Sequence, residues 1–153
     1  MYASVFFGHI LGVLALFSGL AIAGTAFSAA RGRDTARDVA LLLGLSRIGV
    51  LLVAGGTLLA GLCGLWLVHL GRWGYGSGWV DASFALFAAA LTLGGLGGRT
   101  PRQARVLAVT LAAQSEAVTP ELRALLEHRA TRWTNTVAFA LMVAIVADMC
   151  FKP

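Results

Sequence analysis

Charge is scarce in this chain. Asp, Glu, Lys and Arg together make up 12% of its 153 residues, whereas a soluble domain carries about 25%. So little charge cannot clothe a water-facing surface, which excludes an ordinary soluble globular fold. Cysteine is scarce as well. Cys63 and Cys150 are the two in the sequence, in neither a CxxC nor a Cys/His zinc spacing, so both read as small apolar residues. Common enzyme signatures are missing: there is no GxSxG, no phosphate-binding loop, no HExxH and no dinucleotide fingerprint. The sequence therefore neither assigns nor denies an enzymatic activity. The net charge is +5, but no basic stripe interleaved with aromatics accompanies it, which argues against a nucleic-acid partner.

What is present is hydrocarbon. Hydrophobic residues make up 58% of the chain, and the mean hydropathy is +0.81. Four apolar runs stand out, at about residues 5–30, 48–70, 80–98 and 134–151. Each reaches the roughly 17–25 residues that a helix needs to cross a bilayer. Alternation is absent, and in lipid only helices or closed barrels satisfy the backbone. The first run has no basic segment before it and exceeds the roughly 7–15 apolar residues of a signal peptide, so it is expected to be a span. The expected fold is all-α: a membrane four-helix bundle in one domain, residues 1–153, with the lipid bilayer as its principal partner.

The connections carry the charge. Arg31, Arg33, Arg37, Arg47, Arg99, Arg102, Arg105, Arg123, Arg129 and Arg132 fall between the first and second or the third and fourth runs, against Arg72 and Lys152 on the other side. That bias puts the arginine-bearing connections in the cytoplasm and both termini outside, in the inner (plasma) membrane. The short turn Gly71–Trp79 is then external, and its aromatics suit a membrane–water interface. Gly94, Gly95, Gly97, Gly98 and Pro101 mark a break or kink. A cytoplasmic helical segment is expected over about residues 101–133. Thr119-Pro120-Glu121 forms a helix start, with a hydroxyl cap, proline at the first position and acid in the first turn. With no later glycine or internal proline, one long helix is expected from Pro120 to Phe151, with Trp133 at the inner interface. For packing, Gly8 and Gly12 form a GxxxG, and Gly56, Ala60 and Gly64 form a row of small residues that lets backbones approach closely.

Ionisable groups inside a span are expensive and point to function. His9, His69, Asp81 and Asp148 qualify, one near the outer end of each run. Two histidines facing each other across a bundle suit haem b, copper or zinc, and a nearby carboxylate would orient the imidazole. The plainer reading is that His69, Asp81 and Asp148 are interfacial, hydrated or paired with Arg72 or Lys152. His128, between Glu127 and Arg129, reads as solvent-exposed.

The opening Phe7-Gly8-His9-Ile10-Leu11-Gly12, followed by Phe17-Ser18-Gly19, resembles that of a family of small predicted integral membrane proteins of unknown function. Thr119-Pro120-Glu121-Leu122-Arg123 and the ending Phe151-Lys152-Pro153 resemble it too, so the likeness runs over essentially the whole chain. That family is similar in layout to the copper-resistance D proteins and to HemJ-type protoporphyrinogen oxidases. In the latter a first-span histidine binds haem b, a role the resemblance would pass to His9. Leu16-Phe17 stands where those relatives often have tryptophan.

Three functions follow as expectations. The first is a small scaffold or accessory subunit, in a homo-oligomer or a larger membrane complex. The second is a haem b- or metal-binding redox or handling protein using His9 and His69. The third is a proton-coupled transporter using Asp81 and Asp148, although no inverted repeat or pair of broken helices accompanies them. The orientation is directly testable. A reporter fused after Pro153 should be active outside the cytoplasm and one inserted at Gly32 inside it; a cytosolic signal from the first fusion would overturn the arrangement.

Overall fold

The structure, a computed structural model, describes residues 1–71, 77–114 and 117–151. Arg72, Lys152, Pro153 and most of the glycine- and aromatic-rich turn, on which several expectations rest, lie outside them. Among the described residues there are six helices and no strand: α1 (Tyr2–Ala30), α2 (Ala36–Leu70), α3 (Gly78–Gly97), α4 (Arg99–Ala113), α5 (Pro120–Glu127) and α6 (Arg129–Phe151). Four helical stretches are long and apolar enough to cross a membrane: α1, α2, α3 running on into α4, and α5 with α6. This is a membrane helical bundle.

The helix ends follow local chemistry. Thr35 is extended, and its Oγ1 accepts the Asp38 N–H at 3.2 Å, capping α2. The cap sits thirteen residues before the expected span start at Ile48, so the first turns of α2 stand beyond the apolar run. Thr119 caps α5 in the same way, accepting from Leu122 N at 3.3 Å, with Pro120 at the first helical position. At the expected glycine break, α3 ends at Gly97 and α4 begins at Arg99, with Gly98 still in the right-handed region. The long helix expected from Pro120 to Phe151 is interrupted at His128, whose ψ of 111° is extended. Neither glycine nor proline causes this break. Leu122 and Leu126 are drawn onto one core, while α6 must run along α3. The two directions differ, and His128 takes up the difference, its Nδ1 lying 3.3 Å from Thr131 Oγ1.

Two helix pairs make up the spanning part, α1 against α2 and α3 against α6. Lipid offers no hydrophobic drive for association, so close backbone packing must supply it. On α1 the buried small residues Gly12, Gly19 and Ala26 recur every seventh position. Gly12 and Gly19 meet Gly49, Gly56 and Ala60 of α2. A methyl at Gly12 would lie 2.5 Å from Ala60 N, one at Gly56 2.5 Å from Leu16 N, and one at Gly19 2.5 Å from Gly49 O. The helices therefore touch main chain to main chain. The α3–α6 seam repeats the spacing, with Ser83, Ala90 and Gly97 buried on one side and Thr131, Ala138 and Ile145 on the other.

A separate core closes the arginine-rich end. Phe27 and Ala30 of α1, Val39 and Leu43 of α2, Ala104, Ala108 and Leu111 of α4, and Leu122 and Leu126 of α5 pack together. Main-chain pairing of Thr35 with Ala117 and the Arg123–Asp34 ion pair (3.2 Å) tie α5 to the α1–α2 connection. That ion pair is largely exposed and contributes little.

The seam yields a prediction. Gly12→Leu forces backbones apart and should cost about 1–3 kcal/mol or more, read as a lower melting temperature in detergent. Gly24→Ala meets nothing within 4 Å and should be neutral or stabilising, by up to about 1 kcal/mol. Equal behaviour of the two variants would rule out main-chain contact at Gly12.

Candidate functional site

His9 sits on α1 one turn before Gly12, so the same close approach that buries Gly12 brings its ring against α2. Its Nδ1 lies 2.8 Å from the Ala60 carbonyl oxygen. A carbonyl can only accept, so Nδ1 carries the proton and donates. Ala60 O is available because the ring lies over Gly64, where an added methyl would come within 3.3 Å of His9 Cε1. In the neutral imidazole Nε2 is then a bare lone pair. Among the described residues nothing is bonded to it.

The ring edges a cavity between the two helix pairs, of about 100 Å³. The pairs meet there through side chains rather than backbones: Phe17 stands edge-on to Phe139 at 6.0 Å, and the Phe87 ring lies 3.5 Å from where a methyl on Gly61 would be. The cavity walls are almost wholly apolar, with Trp79, Phe84 and Phe87 from α3 and Met142, Ile145 and Met149 from α6. His9, Ser83 and the indole of Trp79 bring the polar groups of its wall. Ser83 Oγ donates to Asp148 Oδ2 at 2.7 Å, joining α3 to α6.

The contacts also set depth. Phe17 faces Phe139. Eight residues back along α1 reach His9, and eight forward along the antiparallel α6 reach Ala147, each about 12 Å away at 1.5 Å per residue. His9, Asp148 and Met149 thus share one level. Of the four ionisable residues expected to form a polar layer, His9 and Asp148 are half-buried at this level, and Asp81 and His69 are exposed. His69 follows Ala60 by nine residues, two and a half turns, so it leaves α2 on the face opposite the one that holds His9. The structure does not bring the two histidines together. Cys63, half-buried, touches α1 at Gly8, where an added methyl would lie 3.0 Å from its sulfur. Among the described residues no three of His, Cys, Asp and Glu cluster as a metal site.

Ser83, Met142 and the aromatic wall escape a reading of the sequence. Ser83 looks like any small span residue until its register against Asp148 is known. The one available signal is that a carboxylate inside a span needs a donor at its own depth.

A family described as predicted integral membrane protein (DUF2269) matches residues 4–153. The chain belongs to that family. No curated protein and no solved structure matches it. As a DUF2269 protein it has four apolar helices that fit a small four-span membrane protein.

The Ser83–Asp148 bond can be tested within this DUF2269 chain. Asp148→Asn keeps an acceptor for Ser83 and should leave the protein monodisperse, with its melting point nearly unchanged. Ser83→Ala removes the donor and should cost about 1 kcal/mol. A large loss with Asp148→Asn and none with Ser83→Ala would mean that the carboxylate charge, rather than this hydrogen bond, holds α3 to α6.

Proposed function

We propose that this chain binds a small ligand, a metal ion, in the apolar cavity between its two helix pairs, with His9 Nε2 as the group that takes it. One observation carries this reading: Nδ1 is held by Ala60 O at 2.8 Å, which leaves Nε2 as the unprotonated nitrogen of a ring that lines the cavity. Metal-binding imidazoles characteristically donate their other nitrogen to a carboxylate or a backbone carbonyl, which fixes tautomer and ring plane and raises ligand basicity. This held imidazole beside a cavity is what places ligand binding ahead of the scaffold or accessory-subunit reading here. The transporter reading has less support, since Asp81 is exposed and lies outside the cavity wall.

The cavity favours a single ion over haem b. Pockets that hold drug-sized ligands enclose about 300–1,000 Å³, a porphyrin needs at least that, and the space here is about 100 Å³. His69 is also absent from its wall, so a second axial imidazole is lacking. A single ion fits. With the arginine-rich end taken as cytoplasmic, the cavity lies in the outer half of the plasma membrane.

Elemental analysis of detergent-purified protein, with an absorbance spectrum alongside, tests the reading. Metal should accompany the wild type and be lost in His9→Ala, with no Soret band in either. Metal retained in His9→Ala would remove His9 from the site; a Soret band lost with His9 would replace the ion by haem.

A further inference from the structure

Met142 and Met149 line the same cavity as His9. They are seven residues apart on α6, two helical turns, and so project from one face. Met149 shares the depth of His9 by the register that Phe17 and Phe139 set, and Met142 lies deeper. Oxygen donors are few: the nearby carboxylate, Asp148, is engaged by Ser83 and is not part of the cavity wall. The donors on offer are one imidazole nitrogen, the Ser83 hydroxyl oxygen and two thioether sulfurs, in otherwise apolar surroundings.

We propose that the cavity is a site for a soft monovalent metal ion, Cu(I), held by His9 Nε2 and the Met149 thioether, with Met142 as the next sulfur inward. This rests on the reading of His9 as a metal ligand and names the ion. Thioethers select Cu(I) and bind hard divalent ions poorly. Zinc takes four ligands in a structural site, or three plus water, drawn from residue types that do not cluster among the described residues. Charge points the same way. The cost of burying an ion in apolar surroundings rises steeply with its charge, so walls without a compensating anion favour a single positive charge over two. Trp79, Phe84 and Phe87 also line the cavity, and an aromatic ring whose face meets a cation attracts it. Binding changes no oxidation state, and the neutral imidazole releases no proton.

The test is a competition titration of detergent-purified protein with Cu(I), under ascorbate, against a chromophoric Cu(I) chelator. One Cu(I) per chain is expected. Met149→Leu keeps side-chain volume and should weaken binding about ten-fold or more, a loss of about 1.4 kcal/mol or more. Met142→Leu should weaken it less. His9→Gln retains a donor for Ala60 O without the imidazole, and should also lose about ten-fold or more. Zn(II) should fail to compete. Monodispersity and helical circular dichroism of each variant separate ligand loss from unfolding. Wild-type affinity in Met149→Leu, or Zn(II) binding as tightly as Cu(I), overturns the Cu(I) assignment; if His9→Gln still abolishes metal binding in that case, the His9 reading stands without it. If the wild type binds neither ion, both fall.

Discussion

The contact on which the rest of this structure depends is the main-chain approach of α1 to α2 at Gly12, Gly19, Gly49 and Gly56. In hydrocarbon an apolar side chain gains nothing by leaving lipid for another helix. What remains is dispersion, and dispersion falls off within a fraction of an ångström. Glycine at these positions lets two backbones close until an added methyl would sit 2.5–2.6 Å from the facing main chain. That closeness brings the Ala60 carbonyl within 2.8 Å of His9 Nδ1. The orientation of the one imidazole in the cavity wall is thus a consequence of the packing seam.

The cavity has a related origin. Each helix pair spends its small residues on its own seam: glycine and alanine for α1–α2, and Ser83, Ala90 and Gly97 for the α3 side of α3–α6. The surfaces left for the two pairs to turn toward each other are bulky. Phe17 against Phe139 and Phe87 against Gly61 act as spacers, and between them lies room lined by rings, methyls and thioethers. The arginine-rich end obeys different physics. There apolar burial is deepest: Val39, Leu43, Leu122 and Leu126 are almost wholly enclosed. A conventional core thus caps a bundle that is otherwise held by close approach.

Much of the fold was legible because its causes are local. Runs of apolar residues long enough to cross a bilayer, the hydroxyl cap at Thr119 and the proline after it act within a turn or two of themselves, and the helices follow them. The GxxxG of Gly8 and Gly12 pointed to the right helix face, but the seam runs at sevenfold spacing through Gly19 to Ala26. Gly8 instead faces Cys63, and Gly64 lies under the imidazole. The break at His128 left no local trace, since it settles a conflict between two tertiary surfaces. His9 was legible as a polar group in a span. The separation of His69 from it was not, because that depends on the rotation of α2 as well as on depth.

The sequence by itself determined the solvent, the number of spans and the helix start at Thr119, since transfer free energy and capping are properties of short stretches of chain. Only the tertiary structure decided which nitrogen of His9 is bare, which carboxylate Ser83 holds and which thioethers share the cavity. Those depend on relative rotation and register between helices far apart in the chain, and a shift of one residue turns a side chain by about 100°.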